Sequence, residues 1–113
     1  MAHTREVADA VRLYVRAVAL QQGERYRSAI LFGSHARGEA RAESDVDVAV
    51  LLDGKRGDIF DKKLELAELA YDLLLETGIL IQPLPIWRDE WECPALHRNP
   101  QLIENIRREG QTI

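Results

Sequence analysis

The sequence predicts a single α/β domain, 1–113, with helices packed against a sheet, and three observations predict it. A chain of 113 residues is the size of one domain, and at that size folding buries roughly 65% of the surface the unfolded chain exposes. Helical and extended hydrophobic patterns alternate in the order α-β-β-α-β-α, the arrangement that places helices on a sheet. The composition, 46% hydrophobic and 30% charged with 7 Gly and 4 Pro, belongs to a globular chain and not to a disordered or fibrous one.

The elements follow in chain order. Val7, Val11, Tyr14, Val15 and Val18 recur at helical spacing and predict a first helix over Arg5–Gln22, with Thr4 as N-cap and Gly23 as the left-handed terminator. Ser28–Gly33 is a short apolar run that reads as a buried strand. Val46–Leu52, rich in β-branched residues and closed by Asp53-Gly54, reads as a second. Asp58 caps a long helix to Thr77, for which Phe60, Leu64, Ala67, Tyr71 and Leu74 form the expected core stripe, and Gly78 stops it. Ile79–Ile86 is a third strand, and Pro83 and Pro85 place it at an edge or have it leave the sheet early. Asn99-Pro100 pairs an N-cap with proline at the first helical position, opening a last helix that ends at Glu109 before Gly110.

Charge and composition exclude several functions. The formal net charge is −4, with 15 basic and 19 acidic residues, whereas proteins that grip a phosphate backbone carry a basic surplus, so direct nucleic-acid binding is not expected. The longest uncharged stretch, Thr77–Trp87, is shorter than the roughly 20 apolar residues a membrane-spanning helix needs, and two prolines interrupt it. The first residues lack the apolar core of a secretory leader. Cys93 is the single cysteine and forms no internal disulfide, which suits a reducing cytoplasm. His3 and His97 have no cysteine or acid at metal-ligand spacing, so zinc is not expected.

One segment concentrates the chemistry: Gly33-Ser34-His35-Ala36-Arg37-Gly38, then Glu39–Glu43, then Ser44-Asp45-Val46-Asp47. Asp45 and Asp47 stand two apart at the start of a strand, so their side chains share one face and their carboxylates converge. Unpaired like charges at close range are costly, and a hard divalent cation such as Mg2+ removes that cost. Two solvent-facing acids at a strand end would carry the same letters. The preceding segment favours the metal reading. Gly33-Ser34 follows a predicted strand and precedes a short helix-compatible stretch, Ala36–Ala42, so its N–H groups and the Ser34 hydroxyl can cradle a phosphate. Arg37 lies one turn on, either to add charge there or to fix the loop by a salt bridge. The segment is not a Walker A loop, because the Gly-Lys-Ser/Thr ending is absent.

GSHARGEARAESDVDVAV resembles the signature of the minimal nucleotidyltransferases, small members of the DNA polymerase β superfamily: Gly-Ser, Ala-Arg-Gly, then Ser-Asp-x-Asp at a set distance. The resemblance implies a nucleotidyltransferase (polymerase β-like) fold, α/β (α+β) in class, with a short mixed sheet flanked by helices. It implies that Gly33 and Ser34, with Arg37 and Ser44, bind the nucleotide, and that Asp45 and Asp47 are the catalytic, Mg2+-ligating pair. The implied substrate is ATP or another nucleoside triphosphate. Many such proteins are antitoxins of HEPN-type toxins, and some transfer AMP to a toxin tyrosine. A cytoplasmic transferase with Mg2+ as cofactor and a HEPN-type toxin as partner is therefore expected.

The family pattern calls for a third carboxylate on a later strand, and here the chain departs from it. Ile79–Ile86 holds no acid, and by alternation and distance Gln82 occupies that position. Its amide oxygen can ligate a metal, but it carries no charge and cannot act as a base. Glu76 before the strand, and Asp89 and Glu90 after it, do not fit the position. The departure keeps a second reading open, a binding antitoxin with a weakened transferase site. His35 fills the variable place of the motif and reads as a surface residue. Trp87 and Trp91 read as cover for the core edge, with an exposed partner patch as the alternative. Tyr14 and Tyr71 read as core.

Overall fold

The computed structural model describes residues 4–41 and 44–113. Helix α1 (Thr4–Gln22) is followed by Gly23 at φ +60 and a short 3-10 turn, which lead into strand β1 (Tyr26–Phe32). A one-turn helix α2 (Ser34–Arg37), strand β2 (Val46–Leu52), helix α3 (Ile59–Thr77) and strand β3 (Ile81–Trp87) come next. The chain finishes with α4 (Arg88–Glu92), a 3-10 turn at Pro94–Leu96, α5 (Pro100–Glu109) and the two-residue strand β4 (Gln111–Thr112).

The four strands form one mixed sheet in the order β3-β2-β1-β4. β1 runs antiparallel to both β2 and β4, while β2 and β3 are parallel and joined by α3 as the crossover. Local chemistry sets the crossover's limits. Asp58 Oδ1 accepts from the N–H groups of Phe60 at 2.8 Å and Asp61 at 3.1 Å, and Gly78 at φ +75 donates to the Leu74 carbonyl. Both are helix-end groups that would otherwise lack partners. β3 lies at the sheet edge but stays paired with β2 along its whole length, from Val46↔Ile81 to Leu52↔Trp87. A paired strand with Pro83 and Pro85 keeps its ladder only if their nitrogens, which carry no hydrogen, face away from β2.

Alternation along the strands divides the core into two layers. Ala29, Val46, Val48, Val50, Leu52 and Ile81 face α1 and α3, where Val7, Val11, Tyr14, Val18, Leu66 and Leu73 meet them. Ile30, Ala49, Leu51 and Ile86 face the other way and are covered by Ile103 and Ile106 of α5. The Tyr14 hydroxyl donates to the Leu66 carbonyl at 2.9 Å, so the buried phenol is satisfied and ties α1 to α3.

Several expectations are corrected. The core stripe of α3 is Leu66, Ala70 and Leu73 with half-buried Leu69, and not the predicted set. Phe60, Leu64 and Tyr71 are 66%, 49% and 58% exposed and point away from the sheet. Leucines stand on nearly every side of this helix, so periodicity alone admitted two stripes. The helix-compatible stretch begins earlier than expected and ends at Arg37, because Gly38 adopts φ +72; Ala42 and Glu43 lie outside the described residues. α4 and β4 carry no signal strong enough to be read from their few residues. Trp87 is buried and Trp91 packs against the α5 layer, with the Arg107 guanidinium 5.5 Å from its ring, which leaves no exposed Trp87–Trp91 patch.

The corrected stripe separates two leucines on one helix. Leu66→Ala should cost about 2–5 kcal/mol of stability, the range for deleting a buried leucine side chain. Leu64→Ala should stay within about 0.5 kcal/mol, as exposed substitutions do. Urea unfolding midpoints of the isolated chain measure both, and equal costs would refute this orientation of α3.

Candidate active site

The site forms where β1 ends and β2 and β3 begin. Phe32 is the last residue of β1 and stands opposite Asp47 in the antiparallel ladder, so Gly33 is delivered directly over that aspartate. A Cβ built on Gly33 would overlap Asp47 Oδ2, and the backbone there has φ +75. Both observations restrict the position to glycine, one by space and one by conformation. Asp47 shares its face of β2 with Ala49 and Leu51, the α5 side. Asp45, just before the strand, projects to the same side and is exposed.

The parallel register places Gln82 of β3 beside Asp47, and its Nε2 donates to Asp45 Oδ2 at 3.2 Å. The structure therefore brings Asp45, Asp47 and Gln82 together. Asp89 and Glu90 lie beyond the other end of β3, where Glu90 accepts from the Trp87 N–H and Arg56 pairs with Asp89. They take no part here.

Gly33 is the N-cap of α2 and has no side chain to cap it. The N–H groups of Ser34, His35 and Ala36 open a helix and so have no intrahelical acceptor. The loop that holds them is fastened at several points. Arg37 donates to Glu39 at 3.2 Å and Glu109 at 3.4 Å, so its salt bridges are to the loop and to the end of α5. Gln111 Nε2 donates to the Ala36 carbonyl at 2.9 Å. Ser44 Oγ accepts from the Arg41 N–H at 2.8 Å and is occupied with the loop's own backbone. His35 is half-buried and its Nε2 lies 3.2 Å from the Ser44 carbonyl, so it joins α2 to the strand-entry loop and is not the surface residue expected. That contact requires the hydrogen on Nε2. The roles of His35, Glu109 and Gln111 had no signal in the sequence, because their partners lie nine, 72 and 75 residues away.

Electrostatics single out Asp47. Partial burial, and then the charge of Asp45, raise its pKa above the ordinary 3.8, while His35 and Arg37 draw it down. Two like-charged carboxylates at close range suit a hard divalent cation such as Mg2+. The Gln82 amide, whose NH2 group now faces Asp45, would present its oxygen to such an ion only after a rotation. Among the described residues, no three His, Cys, Asp or Glu side chains group as metal ligands. The site thus supplies two carboxylates and one neutral amide, beside a cluster of anion-seeking N–H groups.

The polymerase β nucleotidyltransferase domain model matches residues 17–84, which include both the glycine loop and the aspartate pair. The chain belongs to the polymerase β nucleotidyltransferase family. MJ0604, a candidate protein adenylyltransferase of Methanocaldococcus jannaschii, is 34% identical over 76 residues, 66% of this chain and 68% of that protein. MJ0141 of the same organism, named likewise, is 30% identical over 79 residues, 70% of this chain and 78% of that one. Solved structures share the nucleotidyltransferase fold. A candidate nucleotidyltransferase of Sulfolobus solfataricus superposes with a TM-score of 0.55 at 15% identity, over 81% of each chain. A chain from a mutant form of the toxin–antitoxin pair MntA–HpeT gives 0.58 at 18%, covering 90% of this chain and 70% of that one. The mixed four-stranded sheet with helices on both faces is that fold, and membership makes this nucleotidyltransferase a transferase.

Two measurements probe the site without substrate. The folded chain holds the Asp47 proton more tightly than the unfolded chain does. The stability linked to that proton is present at low pH and is lost as pH rises through the raised folded-state pKa. Asp47→Asn should therefore raise the melting temperature at pH 7, with the gain shrinking as pH falls toward 3.8; a variant that melts lower at pH 7 would contradict this. Gly33→Ala should lose about 1–3 kcal/mol to backbone strain alone, and more through its overlap with Asp47, readable as a lower urea midpoint.

Proposed function

We propose that the chain transfers AMP from ATP to a hydroxyl of a partner protein, a tyrosine of a HEPN-type toxin encoded beside it, and acts as its antitoxin in the cytoplasm. The observation that carries this reading is the placement of the Gly33 loop directly against Asp47. A triphosphate held by the Ser34, His35 and Ala36 N–H groups would lie next to the aspartate pair. The protein adenylyltransferase names of the two M. jannaschii relatives support the reaction class. The toxin–antitoxin pair among the structural neighbours supports the biological setting.

In this reading Gly33 and Ser34 bind and orient the phosphates. Arg37 and Ser44 contribute by holding the loop in shape. Asp45 and Asp47 would hold Mg2+, with the Gln82 amide oxygen as neutral third ligand after a rotation of the amide. When bound, the ion neutralises the triphosphate and polarises the α-phosphate. The acceptor hydroxyl oxygen then bonds to the α-phosphorus and pyrophosphate leaves. Gln82 cannot take the hydroxyl proton, so the proton passes to solvent or to a base supplied by the acceptor.

Gln82 also favours a second reading, in which catalysis has weakened and the chain neutralises its partner by binding alone. One experiment separates the two. α-Phosphate-labelled ATP, Mg2+ and the co-encoded neighbour are mixed with the chain or its Asp45→Asn variant. Label on the neighbour that falls by on the order of 10²–10³-fold in the variant supports the transferase. No label with the wild-type chain, together with neutralisation that persists in Asp45→Asn, would overturn it in favour of binding alone. Gln82→Asp should raise the transfer rate by restoring a charged ligand, and an unchanged or lower rate would show that Gln82 is not at the third-ligand position.

A further inference from the structure

The outward side of α3 is apolar where a surface helix is expected to be polar. Phe60, Leu64, Ala67, Tyr71 and Leu74 recur at spacings of four and three, the spacing of a coiled-coil seam. Phe60, Leu64, Ala67 and Tyr71 are exposed on the side away from the buried Leu66, Ala70 and Leu73, and half-buried Leu74 lies at the margin between them. Leu75 extends the strip at 69% exposure, and among the described residues no other element exposes as many large apolar side chains. Leu64, Ala67 and Tyr71, with Glu68 and Asp72, line a shallow hollow of about 460 Å3. A contiguous apolar strip of this kind on a small protein marks an interaction surface.

Charge identifies the occupant. Exposed Asp61, Glu68 and Asp72 run along one side of the seam. A second copy of α3 laid antiparallel would set this acidic row against its own copy, which like charges penalise. A helix whose own seam is flanked by lysine or arginine is complementary in both shape and charge. α3 ends three residues before β3, at the end of the sheet that holds Asp45 and Gln82. It covers the sheet face opposite Asp47, however, so the docked helix would lie away from the site and the acceptor hydroxyl would have to come from another part of its protein.

We infer that the outer face of α3 docks a basic-flanked amphipathic helix of the acceptor protein, an inference that rests on the acceptor hydroxyl belonging to a second protein. The test uses titration calorimetry of the full chain with the co-encoded neighbour. It compares wild type with Leu64→Lys/Tyr71→Lys, which interrupts the seam, and with Glu68→Lys/Asp72→Lys, which reverses the flank. All four positions are exposed, and unfolding midpoints and ATP affinity, read on the same samples, should not move. Affinity should fall about ten-fold or more in each double variant, the size of a hot-spot loss, and wild-type affinity should fall with added salt.

Equal affinity for wild type and both variants, or no complex at all, overturns the inference. So does a wild-type dimer in gel filtration that Leu64→Lys/Tyr71→Lys converts to monomer, because that assigns the face to a second copy. Failure of the transferase reading looks different: the complex forms and depends on α3, but no label moves.

Discussion

The contact between Gly33 and the Asp47 carboxylate is the constraint from which the site follows. It exists because β1 and β2 pair with Phe32 opposite Asp47, which ends one strand directly above the acid of the other. Only a residue without a Cβ, in a conformation only glycine adopts readily, can make the turn there. That turn opens α2, whose first N–H groups have no intrahelical acceptor. A helix start with unpaired N–H groups and a pair of carboxylates are thus brought side by side by one strand pairing. The remaining architecture serves to hold that pairing still: α1 and α3 close one face of the sheet, and α5 closes the other.

Much of this was legible in the sequence, for reasons that differ by element. β2 could be read to the residue because a β-branched run ends at a turn dipeptide. α3 and α5 could be bounded because Asp58, Gly78, Asn99 and Pro100 are local signals whose chemistry needs no distant partner. The candidate site was legible because Gly33, Ser34, Asp45 and Asp47 are close in sequence as well as in space. Gln82 could be placed by alternation along an apolar strand. The orientation of α3 could not be read, since its leucines satisfy two stripes and only the position of the sheet chooses between them. The fastening of α2 by Gln111 and Glu109 was hidden for a different reason: it joins segments more than seventy residues apart, and neither residue type announces such a partner.

Two features of the chain pull its function in different directions. The glycine loop stands directly against Asp47, and partial burial with the neighbouring charge of Asp45 raises that aspartate's pKa. At the third position a neutral amide hydrogen-bonds to Asp45 where the family pattern has a charge. In the proposed reading, amide in place of acid would lower the negative charge facing a triphosphate and would remove the group that accepts the acceptor's proton.

The prolines of β3 have a consequence for how the protein can associate. With the nitrogens of Pro83 and Pro85 turned outward, the free edge of the sheet offers carbonyl acceptors but lacks donors at alternate positions, and β4 at the opposite edge is only two residues long. A strand arriving at the β3 edge would find no continuous ladder to extend. The β3 edge is thereby ill suited to growing by strand addition, and an assembly made there would have to rest on side-chain packing and not on the backbone.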